Sequence, residues 1–300
     1  MHSIPNYPEE IPLSLYHLEE LQPYLLRNRA GISELSMASL FPFTHKRHYK
    51  VSAYENNNGE RNYIIKGIQW QNDVEELFAI LPSGYPGKEI LNSLLEEVSE
   101  VNTISETLLQ EWQEALRHYH PSLSLQEDRD NADYIYDKQS LIDLVGQQLH
   151  KKMAHVKKFA QTNPKRILIP AHLVNKEDLI HVLDKWANGR ELVEDYKATL
   201  EAINHQAELN LKGVVLYSDD VPVAFTLGEH DSDKRFIIHV EKADITYKGI
   251  YQYINRAFVK DLDSSIVEIN REQDLGIPGL RQAKLTYQPS RLLMKWRIRK

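Results

Sequence analysis

The chain contains no cysteine among its 300 residues. This absence excludes disulfide bonds, thiol nucleophiles and cysteine-based metal sites, and it fits a cytoplasmic protein. No window comes near the roughly 20 apolar residues that a membrane-spanning helix needs. Residues 1–5 include no charged segment followed by an apolar run, so no signal peptide is predicted. We therefore expect a cytoplasmic protein without an integral membrane segment.

The signatures of several enzyme classes are also missing. The sequence has no P-loop, no dinucleotide-binding fingerprint and no Gly-x-Ser-x-Gly nucleophile elbow. Its 13 histidines show no His-Glu-x-x-His or comparable ligand spacing, so no metal site is predicted. The net charge of -7 gives no general attraction to nucleic acids or anionic membranes, which leaves only local basic patches for such partners.

The composition is that of an ordinary globular protein, with 42% hydrophobic and 26% charged residues. Its length exceeds one average domain and suggests two. Apolar periodicity predicts a similar order of elements in the two halves. We predict an α/β (α+β) fold class, with an N-terminal domain over 1–137, a linking helix over 138–161, and a C-terminal domain over 162–300 that carries the site.

The C-terminal half is predicted as strand, two helices, three antiparallel strands, helix, strand, helix and strand. Its predicted strands cover 166–170, 213–218, 221–228, 235–243, 265–270 and 292–298, and its helices cover 176–186, 192–209, 249–261 and 278–287. The first half follows this order loosely. Its fifth strand rests on the weak run 100–104, whereas Asn58-Gly59 between strands over 49–54 and 62–68 predicts a hairpin.

The segment 269–287 is the most informative part of the sequence. Four polar residues directly follow an apolar strand and precede a helix that starts near a proline: Asn270, Arg271, Glu272 and Asp274. Such positions, at a strand end and a helix N-terminus, commonly hold ligands. Arg271 could clamp a carboxylate or phosphate while Glu272 or Asp274 receives an ammonium group. Alternatively, Asp274 pairs with Arg271 or Arg281 and only stabilises the loop.

A second polar pair lies within the predicted strand 235–243. His239 and Glu241 alternate with Ile238 and Val240, so a period of two places the polar pair on one sheet face and the apolar pair on the other. A histidine and a glutamate on one face could include a general base. The structural alternative is a hydrogen bond or ion pair with Lys242 or with a neighbouring strand.

Basic residues gather at three places. The linking helix carries a basic face that could hold an acceptor phosphate or a tRNA backbone, or could simply be solvated: Lys151, His155 and Lys158, flanked by His150, Lys152 and Lys157. A second patch comprises His45, Lys46, Arg47, His48 and Lys50. The third, which we interpret as a tail, comprises Arg297, Arg299 and Lys300.

Three segments, 238–244, 249–255 and 269–287, together resemble the lysyl-phosphatidylglycerol synthase C-terminal family. The resemblance is distinctive over 125–300 and weak over the first third of the chain. It implies two tandem GNAT-like acyltransferase domains with mixed, mostly antiparallel sheets flanked by helices, and the predicted element order is analogous to that fold. It also implies an aminoacyl-tRNA donor and an amine or hydroxyl acceptor, such as a small molecule or a lipid headgroup.

In GNAT proteins the fourth and fifth strands splay apart and admit the donor, whose phosphates lie on the next helix N-terminus. The resemblance implies His239, Glu241 and Tyr287 as catalytic residues, with Tyr287 protonating the leaving group; its alternative role is that of a core tyrosine. The candidate substrate-binding residues are Lys151, Lys152, His155, Tyr251, Gln252, Asn270, Arg271, Glu272, Asp274, Arg281 and Lys284. Leu280, Lys284 and Tyr287 are spaced to share one helix face.

Two other functions fit the same fold. One is an acyl-CoA-dependent N-acyltransferase, although the usual glycine-rich CoA loop is reduced here to Gly249 preceded by Lys248. The other is a non-catalytic module that binds a metabolite in the old cleft. The leading hypothesis is an aminoacyl or acyl transferase that uses aminoacyl-tRNA or acyl-CoA as donor substrate and no certain cofactor. Neither donor, acceptor nor oligomeric state follows from the sequence.

Overall fold

The computed structural model describes residues 3–56, 58–71, 73–189 and 195–300. The chain divides into two compact units, one comprising Met1–Ala132 with Leu293–Lys300 and the other comprising Asp133–Leu292. Two mixed, mostly antiparallel seven-stranded sheets are flanked by helices, which confirms the predicted fold class. No helix within the described ranges is long and apolar enough to cross a membrane.

The sheet of the first unit has the strand order β1-β2-β3-β4-β5-β14-β6. Its strands are β1 (Ile11–Pro12), β2 (Lys50–Glu55), β3 (Arg61–Gln71), β4 (Val74–Ile80), β5 (Glu100–Ser105), β6 (Ser124–Glu127) and β14 (Lys295–Arg299). Strands β2 and β3 form the predicted hairpin, and β4 pairs with β5 in parallel. The weak run at 100–104 is therefore a true strand, because the neighbouring β4 supplies its hydrogen-bond partners.

The helices of the first unit are α1 (Leu18–Asn28), α2 (Met37–Leu40), α3 (Thr44–Arg47), α4 (Lys88–Glu97) and α5 (Glu106–Tyr119). Serine side chains cap α2 and α5, since Ser36 accepts a hydrogen bond from the N–H of Ser39 and Ser105 accepts one from that of Leu108. The apolar faces of α4 and α5 pack on the sheet around the fully buried Trp112.

The sheet of the second unit has the order β13-β7-β12-β11-β10-β9-β8. Its strands are β7 (Asp133–Asp137), β8 (Arg166–Pro170), β9 (Lys212–Ser218), β10 (Val221–Ser232), β11 (Arg235–Ala243), β12 (Glu268–Asn270) and β13 (Arg291–Leu293). Strands β9, β10 and β11 pair in antiparallel fashion, as predicted. Strand β8 pairs with β9 in antiparallel fashion, and β11 pairs with β12 in parallel.

The helices of the second unit are α6 (Lys138–Asp143), α7 (His150–Thr162), α8 (Lys176–Ala187), α9 (Tyr196–Asn204), α10 (Ile250–Asp261) and α11 (Pro278–Leu285). Helices α6, α7 and α10 bury their apolar sides against one face of the sheet, and α8 and α9 cover the other. The predicted helix over 192–209 overlaps α9, although residues 192–194 lie outside the described part of the chain.

Three predictions about element or unit boundaries differ from the structure. The helix expected over 138–161 is two helices, because Leu144 with φ 47° ends α6 and Gly146 has φ 101°. The expected terminal strand 292–298 is also two strands, β13 and β14, which join different sheets. Strand β7, predicted in the N-terminal domain, lies in the second sheet beside β12. Long-range strand pairing therefore places the unit boundary at residue 133 rather than 138.

Candidate functional site

The second unit contains the predicted separation of two parallel strands. Strands β11 and β12 pair only from Arg235 opposite Glu268 to Ile237 opposite Asn270. Beyond these pairs β11 continues to Ala243, whereas β12 ends at Asn270. We call the side chains at this divergence, His239, Glu241, Arg271 and Glu272, the strand-gap cluster.

A β-bulge lies in β11 at the edge of this cluster. Leu227 of β10 faces Val240 and the next residue, Gly228, faces Ile238, so His239 is the extra residue that no β10 residue faces in the strand register. The bulge breaks the strand alternation. Ile238 packs in the α10 core and Val240 packs against the α8–α9 core, so the prediction that they share a face was wrong.

His239 is held between two carboxylates. Its Nε2 lies 2.9 Å from Glu229 Oε1 on β10, and its Nδ1 lies 2.7 Å from Glu272 Oε1 in the following loop. Burial alone would lower the pKa of His239, but the two carboxylate partners outweigh it and raise the pKa to about 9. At neutral pH the ring is therefore an imidazolium that donates at both nitrogens. In that state it serves as a clamp rather than as the predicted general base.

Glu241 and Arg271 face each other across the divergence. The Arg271 Nη2 lies 3.3 Å from Glu241 Oε1, and Asn255 on α10 donates to the other carboxylate oxygen at 3.1 Å. The Arg271 guanidinium also lies 5.0 Å from the ring centre of Tyr287 and 5.8 Å from that of Tyr136. The Arg271 guanidinium thus meets one carboxylate at 3.3 Å and lies against two aromatic rings, an arrangement that suits a group able to turn toward an anionic ligand.

The Tyr287 side chain is buried and packed beside the strand-gap cluster. It is 8% exposed and meets Tyr136 edge to face. Lys152 Nζ of α7 lies 3.8 Å from its ring centre. Burial raises the pKa of Tyr287, so its hydroxyl keeps its proton. Because Tyr287 follows the end of α11 and Leu280 is exposed, the predicted shared helix face of Leu280, Lys284 and Tyr287 was wrong.

Asp274 anchors the loop to α11. It is 0% exposed and accepts hydrogen bonds from Arg281 at 2.9 and 2.8 Å, from the Tyr134 hydroxyl at 2.6 Å and from the Gly276 N–H at 2.9 Å. These contacts agree with the alternative in which Asp274 stabilises the loop. Its ionic partner is Arg281 rather than Arg271. This leaves Arg271 on the side of Glu241.

Two further contacts fix the loop to neighbouring strands. Asn270 is 0% exposed, donates to Asp133 of β7 at 3.0 Å and accepts the N–H of Glu272 at 2.8 Å. The second bond supports Glu272 in a left-handed conformation with φ 57°. Asn270 thus helps to hold the backbone of Glu272 in the conformation that brings its carboxylate to His239.

Lys284 reaches inward from α11. Its Nζ donates to the carbonyl oxygen of Arg271 and lies 5.6 Å from the ring centre of Tyr134. Burial, together with the charge of Arg271, lowers the pKa of Lys284 to about 8. A substantial fraction of this amine is therefore neutral slightly above neutral pH, and the neutral form can accept a proton.

Other predicted residues lie outside the strand-gap cluster. Lys151 and His155 are exposed on α7. Tyr251 and Gln252 are partly buried in the first turn of α10, where Tyr251 packs on the apolar core. Gly249, which stands at the predicted CoA loop, has φ 85° and lies against the His155 carbonyl, where an added Cβ would be 2.4 Å from the oxygen. This glycine therefore permits the close packing of two helices.

The other basic patches are tied to structure. In the first unit Lys50 pairs with Glu10 at 2.6 Å, and Arg47 donates to the Ile68 carbonyl at 3.3 Å. Arg297 and Arg299 belong to β14 and bind the fully buried Glu100, at 3.3 and 2.6 Å. Their interpretation as a tail was therefore wrong.

Sequence reasoning missed Glu229, Asp133, Tyr134 and Tyr136. Glu229 is a carboxylate at the end of the apolar run 223–228, a pattern that signals a buried partner. The other three belong to β7, and their importance depends on the pairing of β7 with β12. Beside this strand a cleft of about 210 Å³ opens next to Tyr287, with Asp137, Asp143 and Gln288 in its lining.

Removing the two tyrosine hydroxyls of β7, one at a time, compares how much the hydrogen bonds to Asp274 and to the Lys284 carbonyl stabilise the fold. Removing the Tyr134 hydroxyl with Tyr134→Phe should lower the free energy of unfolding by about 2 kcal/mol, because the buried Asp274 loses a hydrogen bond. Tyr136→Phe should cost about 1 kcal/mol, because the hydrogen bond that it removes ends on an uncharged acceptor, the Lys284 carbonyl. Urea unfolding of both variants checks the order, and equal costs would contradict the central role of Asp274.

The sequence profile of the phosphatidylglycerol lysyltransferase C-terminal domain matches residues 27–299. The chain has the two-sheet α/β architecture described above, and it belongs to this family. An uncharacterized protein of Mycoplasmoides gallisepticum is 25% identical over 177 residues, which are 56% of this chain and 56% of that protein. The chain thus matches about half the length of this curated relative.

Solved structures share the fold. A conserved protein of unknown function from Bacteroides thetaiotaomicron VPI-5482 is 25% identical, with a TM-score of 0.77 over 97% of this chain and 98% of that chain. L-PGS from Bacillus licheniformis is 12% identical, with a TM-score of 0.53 over 87% and 90%. FemX is 9% identical, with a TM-score of 0.57 over 96% of both. At the two lower identities the likeness concerns the fold alone.

Proposed function

We propose that the protein transfers an aminoacyl group from aminoacyl-tRNA to an amine or hydroxyl acceptor at the strand-gap cluster. Family membership supports the reaction class, because the family is named for a lysyltransferase. The observation that supports the location is Arg271, which faces the divergence of β11 and β12, where it meets Glu241 at 3.3 Å and lies against Tyr136 and Tyr287. Such a guanidinium can bind a phosphate or an ester oxygen.

In the proposed reaction the acceptor nitrogen or oxygen attacks the ester carbon of the donor. A bond forms between acceptor and acyl carbon, the bond to the tRNA ribose oxygen breaks, and one proton passes from acceptor to that oxygen. Glu241 or neutral Lys284 accepts the proton, and the protonated Tyr287 supplies one to the leaving oxygen. Arg271 and a backbone N–H at the His239 bulge stabilise the oxyanion.

The acceptor would enter by the cleft beside Tyr287. Asp137 and Asp143 give this cleft a negative lining, which attracts an ammonium-bearing acceptor. His239 does not take part in proton transfer in this scheme. As an imidazolium bound to Glu229 and Glu272, it positions the loop that carries Arg271.

The direct test is transfer from radiolabelled aminoacyl-tRNA to a panel of amines, amino alcohols and phosphatidylglycerol vesicles. Label recovered in an acceptor, with none in its absence, is the expected result. Label that stays on tRNA across all amino acids and acceptors would reject this function. A rise in melting temperature with acyl-CoA, combined with acyl transfer from it, would favour the N-acyltransferase, and ligand binding without turnover would favour the module.

A further inference from the structure

Three buried tyrosines form a row beside the strand-gap cluster. The ring centres of Tyr134 and Tyr136 on β7 lie 6.5 Å apart, and those of Tyr136 and Tyr287 lie 6.4 Å apart. None of the three is more than 8% exposed. We call Tyr134, Tyr136 and Tyr287 the tyrosine row. Charges that lie against such a surface interact strongly, because little water is present to screen them.

Three cationic side chains from three different elements lie along the tyrosine row. Lys284 Nζ of α11 lies 5.6 Å from the ring centre of Tyr134 and donates to the Arg271 carbonyl. At the other end of the row, the Arg271 guanidinium and Lys152 Nζ of α7 lie 5.0 and 3.8 Å from the ring centre of Tyr287. All three cationic residues are partly exposed, so a ligand can reach them.

These cations repel one another. Burial, and then the charge of Arg271, lowers the pKa of Lys152 and also that of Lys284. The first turn of α7 adds to the repulsion, because it holds Lys151 and Lys152 and no acidic residue, whereas the positive end of a helix normally carries acidic residues. Like charges gathered in a partly buried place are unfavourable until an anion neutralises them.

The neighbouring carboxylates leave most of this charge uncompensated. Glu241 faces Arg271 at 3.3 Å. The three carboxylates that act on Lys284 each bind another side chain: Glu272 binds His239, Asp274 binds Arg281 and Asp133 binds Asn270. Neither Lys152 nor Lys284 forms an ion pair with a residue in the described part of the chain. Of the three cations, Arg271 is therefore the one that has an ion-pair partner there.

We propose that Lys152, Arg271 and Lys284 form a binding subsite for a phosphate group. The fork of Arg271 would bind two phosphate oxygens, Lys152 would bind a third, and Lys284 would add its charge from the side of the Arg271 carbonyl. A phosphate supplies three acceptor oxygens and up to two negative charges. A carboxylate would offer two oxygens and one charge, which leaves part of the repulsion in place.

The subsite deepens the proposed function, and the source of the phosphate rests on that function. In the proposed reaction the phosphate would belong to the nucleotide end of the donor. It would also keep Lys284 protonated, which leaves Glu241 as the proton acceptor. Phosphate binding needs no turnover, so loss of the subsite and absence of transfer are separate results.

The test measures the melting temperature of the full chain with inorganic phosphate, adenosine 5′-monophosphate or adenosine, each against sodium chloride at equal ionic strength. Phosphate and the nucleotide should raise the melting temperature, and adenosine, which has no phosphate, should not. Tighter binding of the nucleotide than of inorganic phosphate would assign the phosphate to a nucleotide ligand. Equal affinities would assign the subsite to the phosphate group alone.

Substitutions of Lys152 separate the subsite from a general effect of charge. Lys152→Gln should weaken nucleotide binding about tenfold, because a charge-assisted hydrogen bond is lost. Lys152→Arg should largely restore it, since the charge and the donors remain. The matched control is Lys157→Gln, which removes an exposed lysine of the same helix and should bind like the wild type. Urea unfolding without phosphate should give the same midpoint for all three variants.

Proton uptake tests the part of Lys284. Because the pKa of Lys284 is about 8, part of this amine is neutral at pH 8, and binding of the nucleotide should draw a proton onto it. Calorimetry in two buffers of different ionisation enthalpy measures this proton, and Lys284→Gln should abolish its uptake. The same uptake in Lys284→Gln would contradict a subsite that includes Lys284.

Three further results would overturn the phosphate subsite. One is a melting temperature that phosphate and the nucleotide raise no more than sodium chloride does. Another is equal weakening by Lys152→Gln and Lys157→Gln, which would mean that only the overall charge matters. The third is adenosine that stabilises the protein as much as its monophosphate, since recognition would then concern the nucleoside.

Discussion

Replacing Arg271 with lysine is expected to lower the rate of aminoacyl transfer about 100-fold, with little change in the free energy of unfolding. A lysine keeps the positive charge, but it loses the planar fork that binds an oxyanion or phosphate at two points. It also loses the stacking on Tyr136 and Tyr287 that aims this fork at the strand divergence. Single-turnover transfer from labelled aminoacyl-tRNA measures the effect.

Arg235 provides the matched control for this substitution. It lies at the start of β11, where the strands are still paired, and its Nη2 binds Glu268 at 2.8 Å. Arg235→Lys should therefore retain transfer activity within a factor of about two while losing a comparable partly buried ion pair. If both variants lose activity equally, Arg271 acts through the fold, and its assignment to the site fails.

The contribution of His239 to the stability of the protein is expected to fall as the pH rises from about 6.5 to about 9. The folded-state pKa of His239, about 9, exceeds its usual value of 6.5. Because the folded value is the higher one, the stabilisation is fully present below pH 6.5 and disappears as the pH passes the folded value. The separation corresponds to about 3 kcal/mol. Urea unfolding across this pH range measures it.

Glu229→Gln identifies the source of this dependence. The variant should be less stable than the wild type by about 3 kcal/mol below pH 6.5, because it breaks a buried ion pair, and its stability should fall less steeply toward pH 9. His205→Gln is the control, since it removes a histidine that also lies beside two carboxylates, Glu201 and Glu208, but is 30% exposed. Parallel curves for the wild type and Glu229→Gln would contradict a clamped imidazolium.

Local patterns predicted the elements that form the site. The alternation and the apolar runs of the second half located β9, β10 and β11, and Pro278 marked the start of α11. The Asn270–Asp274 segment was recognisable because charges and glycine directly follow an apolar strand. Such features depend on neighbours within a few residues, and the sequence records those neighbours directly.

The partners of these side chains were not predictable in the same way. Asp274 could pair with either arginine, and only the turn of α11 brings Arg281 rather than Arg271 to it. Glu229 meets His239 because β10 and β11 pair with a bulge, and one extra residue reverses the face of every side chain beyond it.

By itself the sequence determined the fold class, the run of strands and helices in the second half, and the polar segment at the end of β12. Only the tertiary structure decided that β7 pairs within the second sheet and β14 within the first. It also decided that the His239 ring is held between the carboxylates of Glu229 and Glu272. It also decided that α11 turns its leucines outward. The physical reason is that pairing, burial and pKa depend on contacts between residues far apart in the chain, which local periodicity does not encode.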